Sequence, residues 1–553
     1  MDATMMSVPL STRLVFEHGA RLHSRSRVLT FDGARFHTAT YAAVAARATR
    51  LAQALATLGL QPGECVGTFC WNHQAHLEAY LAIPAAGYVL HTLNVRLFSA
   101  QIAMVIAHAD DRAILIDASL LPGLRDVLAA ATGLQHLIVI GGAGTADVAP
   151  GSRLGNAQVH DYAALLAAAA PAAAACDFAW PVLEERSAAA VCYTTGTTGD
   201  PKGVVYSHRS IFLHSQASLG VDTFGICAAD RILLLPSMFH ANAWGLPYSA
   251  WLAGADLLLP GPHLKPAHIR TMIEAESPTF TALVPTLIND LLLADDAAPL
   301  AMGSFRVIVS GGSAVAPALI DQVSARWGVP VLQGWGMTET SPLCALSHPP
   351  RGTPPAEQAQ WRAKSGRPVP GVQVRLVDDA GQAVPADGMS VGELQLRGPW
   401  ITGSYHQGAS PESFTADGWL RTGDVGTLDD HGYVQITDRA KDVIKSGGEW
   451  VSSVDLEGHL LHHPDIHEAA VIGIPDPRWE ERPLPLVVLK PGRTADAAAL
   501  RSFLEPRVAR FWLPERWAFV ESLPRTSVGK IDKKALRSAY ASGQFQLVDI
   551  SKG

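Results

Sequence analysis

Residues 192–204 read CYTTGTTGDPKGV. Thr194, Thr195, Thr197 and Thr198 offer hydroxyls, Gly196 and Gly199 let backbone N–H groups approach anionic oxygens closely, and Lys202 adds a positive charge. These are the groups that bind the phosphates of a nucleotide. A Walker A loop has Gly, four residues, then Gly-Lys-Ser/Thr. Here Lys202 is followed by Gly203, and the spacing from Gly199 is wrong, so the P-loop of kinases and NTPases is excluded. A ligand-free Gly/Thr turn between strands is the plain alternative. The length of the compositional bias favours phosphate binding.

Four further stretches carry groups that could act on a nucleotide. GWGMTE (334–339) ends in Glu339, and TGD (422–424) ends in Asp424. DRAKDVIKSGGEW (438–450) is rich in charge and glycine, and PRTSVGKIDKKALR (524–537) contains Lys530. Taken singly each has a bland reading. Asp424 is a turn residue, Glu339 a helix-starting carboxylate, and Lys530 one exposed lysine among several. PSMFHANAWGLPYSA (236–250) is apolar and aromatic with a single His, which suits a ligand pocket as well as ordinary core packing.

The elements that must position these residues are legible from periodicity. Residues 40–60 have apolar positions at helical spacing and stop at Leu-Gly. GECVGTFCWN reads as strand and turn, and the next segments alternate helix and strand up to LQHLIVIGG. Short apolar runs ending in Gly, Pro or Ser recur over 230–345, separated by AHIRTMIEAES and PALIDQVSARWG as helices. AAAV before the loop is a strand. From about 365 the texture changes to short alternating strands with Asp-Gly and His-Gly turns. The fold class is therefore α/β with a β-rich section. A large N-terminal domain of several subdomains, 1–438, precedes a small α/β C-terminal domain, 439–553.

The chain has 553 residues, 43 Lys and Arg against 51 Asp and Glu, and a net charge of −8, which argues against a nucleic-acid binder. Six cysteines without metal-ligand spacing read as free thiols in a reducing compartment. The N-terminus shows no secretory signal, and the Ala-rich stretch 162–180, broken by Pro171, reads as surface helix and linker rather than a membrane span. A soluble cytoplasmic enzyme is expected.

Together the motifs resemble those of the adenylate-forming enzymes: acyl-CoA synthetases, peptide-synthetase adenylation domains and luciferases. YTTGTTGDPKG is similar to the family's signature loop, and the other four stretches follow in its order and approximate spacing. Thr195 stands where the family more often has Ser and keeps the hydroxyl. SHRS (207–210), MFHANAWGLPY (238–248) and WEERP (479–483) resemble medium- and long-chain fatty-acid–CoA ligases most, and ligases for 3-methylmercaptopropionate share them.

The resemblance implies activation of a carboxylic acid by ATP and Mg²⁺ to an acyl-adenylate, with release of pyrophosphate, then transfer to coenzyme A. It implies that Thr194, Thr195, Gly196, Thr197, Thr198, Gly199 and Lys202 hold the β- and γ-phosphates, with Thr194 and Glu339 binding Mg²⁺. Thr338 contacts the α-phosphate. Gly311, Gly312, Ser313, Gly334, Trp335, Gly336 and Met337 enclose the adenine. Asp424 takes the ribose hydroxyls, and Arg439 adds a ribose or phosphate contact. Lys530 neutralises charge building on the carboxylate and α-phosphate. His240 lies by the acid's carboxylate and Trp244 gates an acyl tunnel. Lys441 is the hinge of a mobile C-terminal domain, whose rotation brings Lys445, Ser446, Gly447, Gly448, Glu449 and Trp450 to coenzyme A. The catalytic set is Lys530, Glu339, Thr338 and His240.

No amino-acid-selecting Asp is recognisable near 240, which disfavours a peptide synthetase. A ligase for a short, sulfur-containing or aryl acid, and a luciferase-like adenylating oxygenase, stay open. A homodimer is an expectation from the family alone.

Overall fold

Helices start where the sequence supplies a cap. The Thr40 hydroxyl accepts the Ala43 N–H at 3.2 Å and opens Tyr41–Thr57, which buries Val44, Ala48, Leu51 and Leu55 along one face. Asp161, Ser207, Ser452 and Asp532 cap Tyr162–Ala168, His208–Ser218, Ser453–Leu461 and Lys533–Ala541 in the same way. The computed structural model describes residues 1, 3–142, 148–169, 178–194, 201–378, 380–439, 442, 444–446, 449–526 and 531–550.

Two large sheets form the body. The first has nine strands, ordered Arg367–Pro368, Leu343–Leu346, Val331–Gly336, Val307–Gly311, Phe280–Leu283, Arg231–Leu233, Asp256–Leu259, Arg27–Phe31, Phe36–Thr40. Its centre is parallel, so helices such as Pro266–Glu276 and Pro317–Trp327 make the crossovers. The second has eight strands and is parallel from Ala188–Thr194 through Val89–Thr92, Cys65–Phe69, Asp111–Asp117 and His136–Ile140 to Ala157–Asp161. Lys202–Ser207 closes one edge antiparallel to Ala188–Thr194, with Lys202 paired to Thr194. One buried cluster draws on both sheets, with Ile232, Leu257 and Val309 from the first and Val66, Leu90 and Leu115 from the second.

The β-rich section is a four-stranded antiparallel meander, Gln373–Val377, Gly392–Arg397, Leu420–Leu428 and Val434–Arg439. The last sheet then begins at Ile444–Ser446 and carries its own buried cluster around Trp517, Leu456 and Leu500. Across this junction the helix Ser453–Leu461 is tied back to the meander. Ser452 Oγ donates to the Thr437 carbonyl at 2.5 Å, and the Ser453 N–H and hydroxyl donate to Asp438 Oδ2 at 2.8 and 2.5 Å. Asp438, expected as a boundary residue, is thus buried and bridges the two parts. The five cysteines among the described residues are free.

Candidate active site

A cavity of about 1010 Å³ lies where the C-terminal ends of the nine-stranded sheet meet the meander and the last domain. Thr194, His240, Trp244, Gly311, Gly312, Ser313, Gly334, Trp335, Gly336, Met337, Thr338, Glu339 and Asp424 all line it. These residues come from five separate stretches of sequence. Ligands commonly bind at such strand ends in open α/β sheets.

The floor is two parallel strands paired at Gly311 and Gly334. A Cβ on Gly311 would sit 2.9 Å from the Gly334 carbonyl oxygen and 3.2 Å from the Trp244 ring, so only glycine fits there. Gln333 Oε1 accepts the Val315 N–H at 2.6 Å and fixes the loop that leaves Gly311.

Trp335, next along the strand, donates its indole N–H to Asp424 Oδ2 at 3.0 Å. The turn reading of Asp424 is corrected here: it lies within strand Leu420–Leu428 and is only 3% exposed. The strand is bulged where it faces Glu393–Gln395, and Gly423 takes a φ of +67°, which L side chains rarely adopt. Thr422 Oγ1 accepts the Asp424 N–H and donates to the Leu394 carbonyl. The bulge aims a buried carboxylate into the cavity with one oxygen engaged by an indole.

Thr338–Thr340 form a single 3₁₀ turn rather than the start of a longer helix. The Thr338 carbonyl accepts from the Tyr206 hydroxyl at 2.6 Å, and the Glu339 carbonyl accepts from the Thr402 N–H at 2.8 Å. Glu339 Oε1 accepts from the Tyr405 hydroxyl at 2.6 Å, and the Lys202 ammonium stands 5.1 Å from the centre of the Tyr405 ring. Lys202 forms no ion pair among the described residues, so its charge is available to an anion. Sequence reading did not find Tyr405 or Tyr206.

Glu339 and Thr194 present only oxygen donors to the cavity, the donor set that Mg²⁺ takes, alongside phosphate oxygens and water. The residues fit that ion.

Beside Gly311 the backbone of the 241–245 segment is strained. Ala241, Asn242, Ala243, Trp244 and Gly245 have φ of 42°, 50°, 48°, 59° and 74°, a full left-handed turn. Such a conformation costs about 1–2 kcal/mol for each residue that is neither Gly nor Asn. Asn242 Oδ1 accepts from Cys192 Sγ at 3.3 Å and from the Tyr80 hydroxyl at 3.3 Å, which helps to hold the turn. The turn carries Trp244 against Gly311, with His240 just ahead of it.

The last domain closes the cavity. Thr526 and Ile531 line it, and Arg525 pairs with Ile531 by a β-bridge. Lys530, with Thr195–Gly199, Lys441, Gly447 and Gly448, lies outside the described residues, as do the side chains of Arg439, Lys445, Glu449 and Trp450. Ser446, expected at coenzyme A once the small domain has rotated, lies away from the cavity in this arrangement of the domains. It is buried in the last domain, and its hydroxyl accepts from Arg482 Nη1 at 3.0 Å.

The same wall is charged. Burial would lower the Lys533 pKa, but Glu457, 2.8 Å away, and Asp438 outweigh it and hold the ammonium charged. Burial, reinforced by Asp438, pushes the Asp455 carboxyl up to about 6.

The model of the family described as AMP-binding enzyme matches residues 16–406, and that of the AMP-binding enzyme C-terminal domain matches residues 455–530. The 3-methylmercaptopropionyl-CoA ligase of Ruegeria pomeroyi is 40% identical over 545 residues, covering 98% of this chain and 99% of the relative. The long-chain-fatty-acid–CoA ligase of Thermus thermophilus is 42% identical over 548 residues, covering 97% of each chain. Among solved structures, the anthranilate CoA ligase AuaEII in complex with anthranoyl-AMP superposes with a TM-score of 0.87 at 25% identity, covering 98% of this chain and 100% of that one. The expected large and small α/β domains agree with that neighbour. The chain belongs to the AMP-binding enzyme family, as an AMP-forming acid–CoA ligase.

Proposed function

We propose that the acid is an apolar carboxylic acid, a medium- or long-chain fatty acid, activated to its adenylate and transferred to coenzyme A. The observation that carries this reading is one continuous cavity. Its lining combines polar groups, Thr338, Glu339 and the Trp335–Asp424 pair, with apolar side chains such as Trp244 and Phe224. Pockets for apolar ligands have this make-up, with a few convergent polar groups.

In this reading the Asp424 carboxylate accepts the ribose hydroxyls, and Gly311–Ser313 with Gly334–Met337 enclose the adenine. The loop 194–202 and Lys202 take the β- and γ-phosphates. Mg²⁺, bound by Glu339 and Thr194, would neutralise phosphate charge. His240 orients the acid's carboxylate toward the α-phosphate, where Thr338 lies, and Lys530 stabilises the charge that develops there. With the adenylate formed, the coenzyme A thiol adds to the acyl carbon and AMP leaves. The small domain, 439–553, turns about Lys441 between the two steps, presenting first the Lys530 loop and then 445–450. The reaction is placed in the cytoplasm, and a homodimer is the assembly to test by light scattering.

The 40% identity to a 3-methylmercaptopropionyl-CoA ligase supports a second reading, a short sulfur-containing acid. Incubation with ATP, Mg²⁺, coenzyme A and acids from C3 to C16, 3-methylmercaptopropionate and aryl acids decides between them, with pyrophosphate and thioester as the readouts. The highest kcat/KM is expected for a saturated acid of eight carbons or more. A preference for 3-methylmercaptopropionate selects the second reading, and no thioester from any acid overturns both.

A further inference from the structure

Tyr405 joins two groups that lie far apart in sequence and that the proposed function uses separately. Its hydroxyl donates to Glu339 Oε1 at 2.6 Å, and the Lys202 ammonium stands 5.1 Å from its ring centroid. Tyr405 and Glu339 are 7% and 6% exposed, so this contact is shielded from bulk water. The loop that carries Tyr405 is clasped to the Glu339 turn by two more bonds. The Thr402 N–H donates to the Glu339 carbonyl at 2.8 Å, and Ser341 Oγ donates to the Trp400 carbonyl at 2.8 Å.

The arrangement has a direction. A cation over the ring face draws electron density from the phenol and makes its hydroxyl a stronger donor. The hydroxyl occupies Oε1 and fixes the carboxylate plane. Oε2 accepts no hydrogen bond among the described residues. One carboxylate oxygen is therefore locked, while the other stays open on a residue that lines the cavity. Carboxylates that bind metals are commonly held this way by an outer partner, whose loss costs about 10- to 100-fold in metal affinity.

We propose that Tyr405 is a positioning residue for the divalent cation. It orients Glu339 toward the metal and couples that orientation to Lys202 of the phosphate loop. The proposal rests on the reading of Glu339 as a metal ligand.

The test is calorimetric titration, without acid so that no turnover occurs, of ATP in EDTA and of MgATP into the full-length protein. Tyr405→Phe keeps the ring and removes only the hydroxyl. It should bind metal-free ATP like the parent and MgATP about 10- to 100-fold more weakly. Tyr405→Leu also removes the ring from under Lys202, and should weaken metal-free ATP as well. Equal loss on both forms of ATP in Tyr405→Phe, or no loss on either, overturns the proposal. Glu339→Gln separates the two readings. If it leaves the gain from Mg²⁺ intact, the metal role of Glu339 fails. If it abolishes that gain while Tyr405→Phe does not, only the role of Tyr405 fails.

Discussion

The indole N–H of Trp335 donates to Asp424 Oδ2 at 3.0 Å, joining two residues 89 positions apart in the chain. Asp424 is buried and lines the cavity, and the proposed function gives its carboxylate the ribose hydroxyls. Trp335→Phe should raise KM for ATP about 5-fold, the worth of one net hydrogen bond, with little change in kcat. Asp424→Ala removes the acceptor itself and should cost more. Steady-state kinetics with ATP varied at saturating acid checks both.

In sequence Lys530 directly precedes Ile531, which lines the cavity and bridges to Arg525. Lys530→Ala should lower acid-dependent ATP–pyrophosphate exchange about 100- to 1000-fold, the loss seen when one donor to a developing charge is removed. Transfer from preformed acyl-adenylate to coenzyme A should be largely spared. Equal losses in the two assays count against the role given to Lys530.

Gly311→Ala places a methyl against the Gly334 carbonyl and the Trp244 ring. It should destabilise the fold by about 1–3 kcal/mol and weaken acid binding. Adding Trp244→Ala relieves the ring contact but not the carbonyl contact, so the double variant should recover acid binding and only part of the stability. Thermal melts and KM for the acid report these separately.

Stability should fall on acidification, for a reason set by burial. Burial lowers His76 and His214 to about 3 and His208 to about 4. In the unfolded chain they titrate near 6.5. Their folded pKa values are depressed, so the unfolded state binds more protons below pH 6.5, and stability is lost as pH drops from 6.5 toward 3. By pH 5 each contributes a loss of about 2 kcal/mol. Asp455, pushed up to about 6 by burial, has the opposite sign and offsets a smaller part. The melting temperature, measured from pH 8 to pH 5, should decline below pH 6.5, and His214→Gln should flatten the slope.

Lys441→Pro should preserve acid-dependent ATP–pyrophosphate exchange and impair thioester formation, because a fixed φ opposes rotation about the junction. Equal loss of both half-reactions removes the hinge role.

What was legible in the sequence was chemistry tied to local spacing. Thr194, Thr338, Glu339, Asp424 and the Gly311 loop were readable because each sits in a short motif, and the structure gathers all of them around one cavity. Partners set by tertiary register were not readable. Tyr405 lies 66 residues from Glu339 in a stretch with no periodic or charge signal. Asp424 looked like a turn residue because Thr-Gly-Asp is turn composition, and only the strand opposite shows that the glycine makes a bulge. HANAWG holds a single glycine, so nothing in it announces a left-handed backbone at two alanines and a tryptophan.

That left-handed turn bears on engineering the molecule for heat resistance. Ala243→Gly would relieve about 1 kcal/mol of backbone strain, a gain that selection for thermal tolerance alone would take early. The same change would loosen the segment that presses Trp244 onto Gly311. A hardier catalyst obtained this way should discriminate less sharply among the acids it accepts.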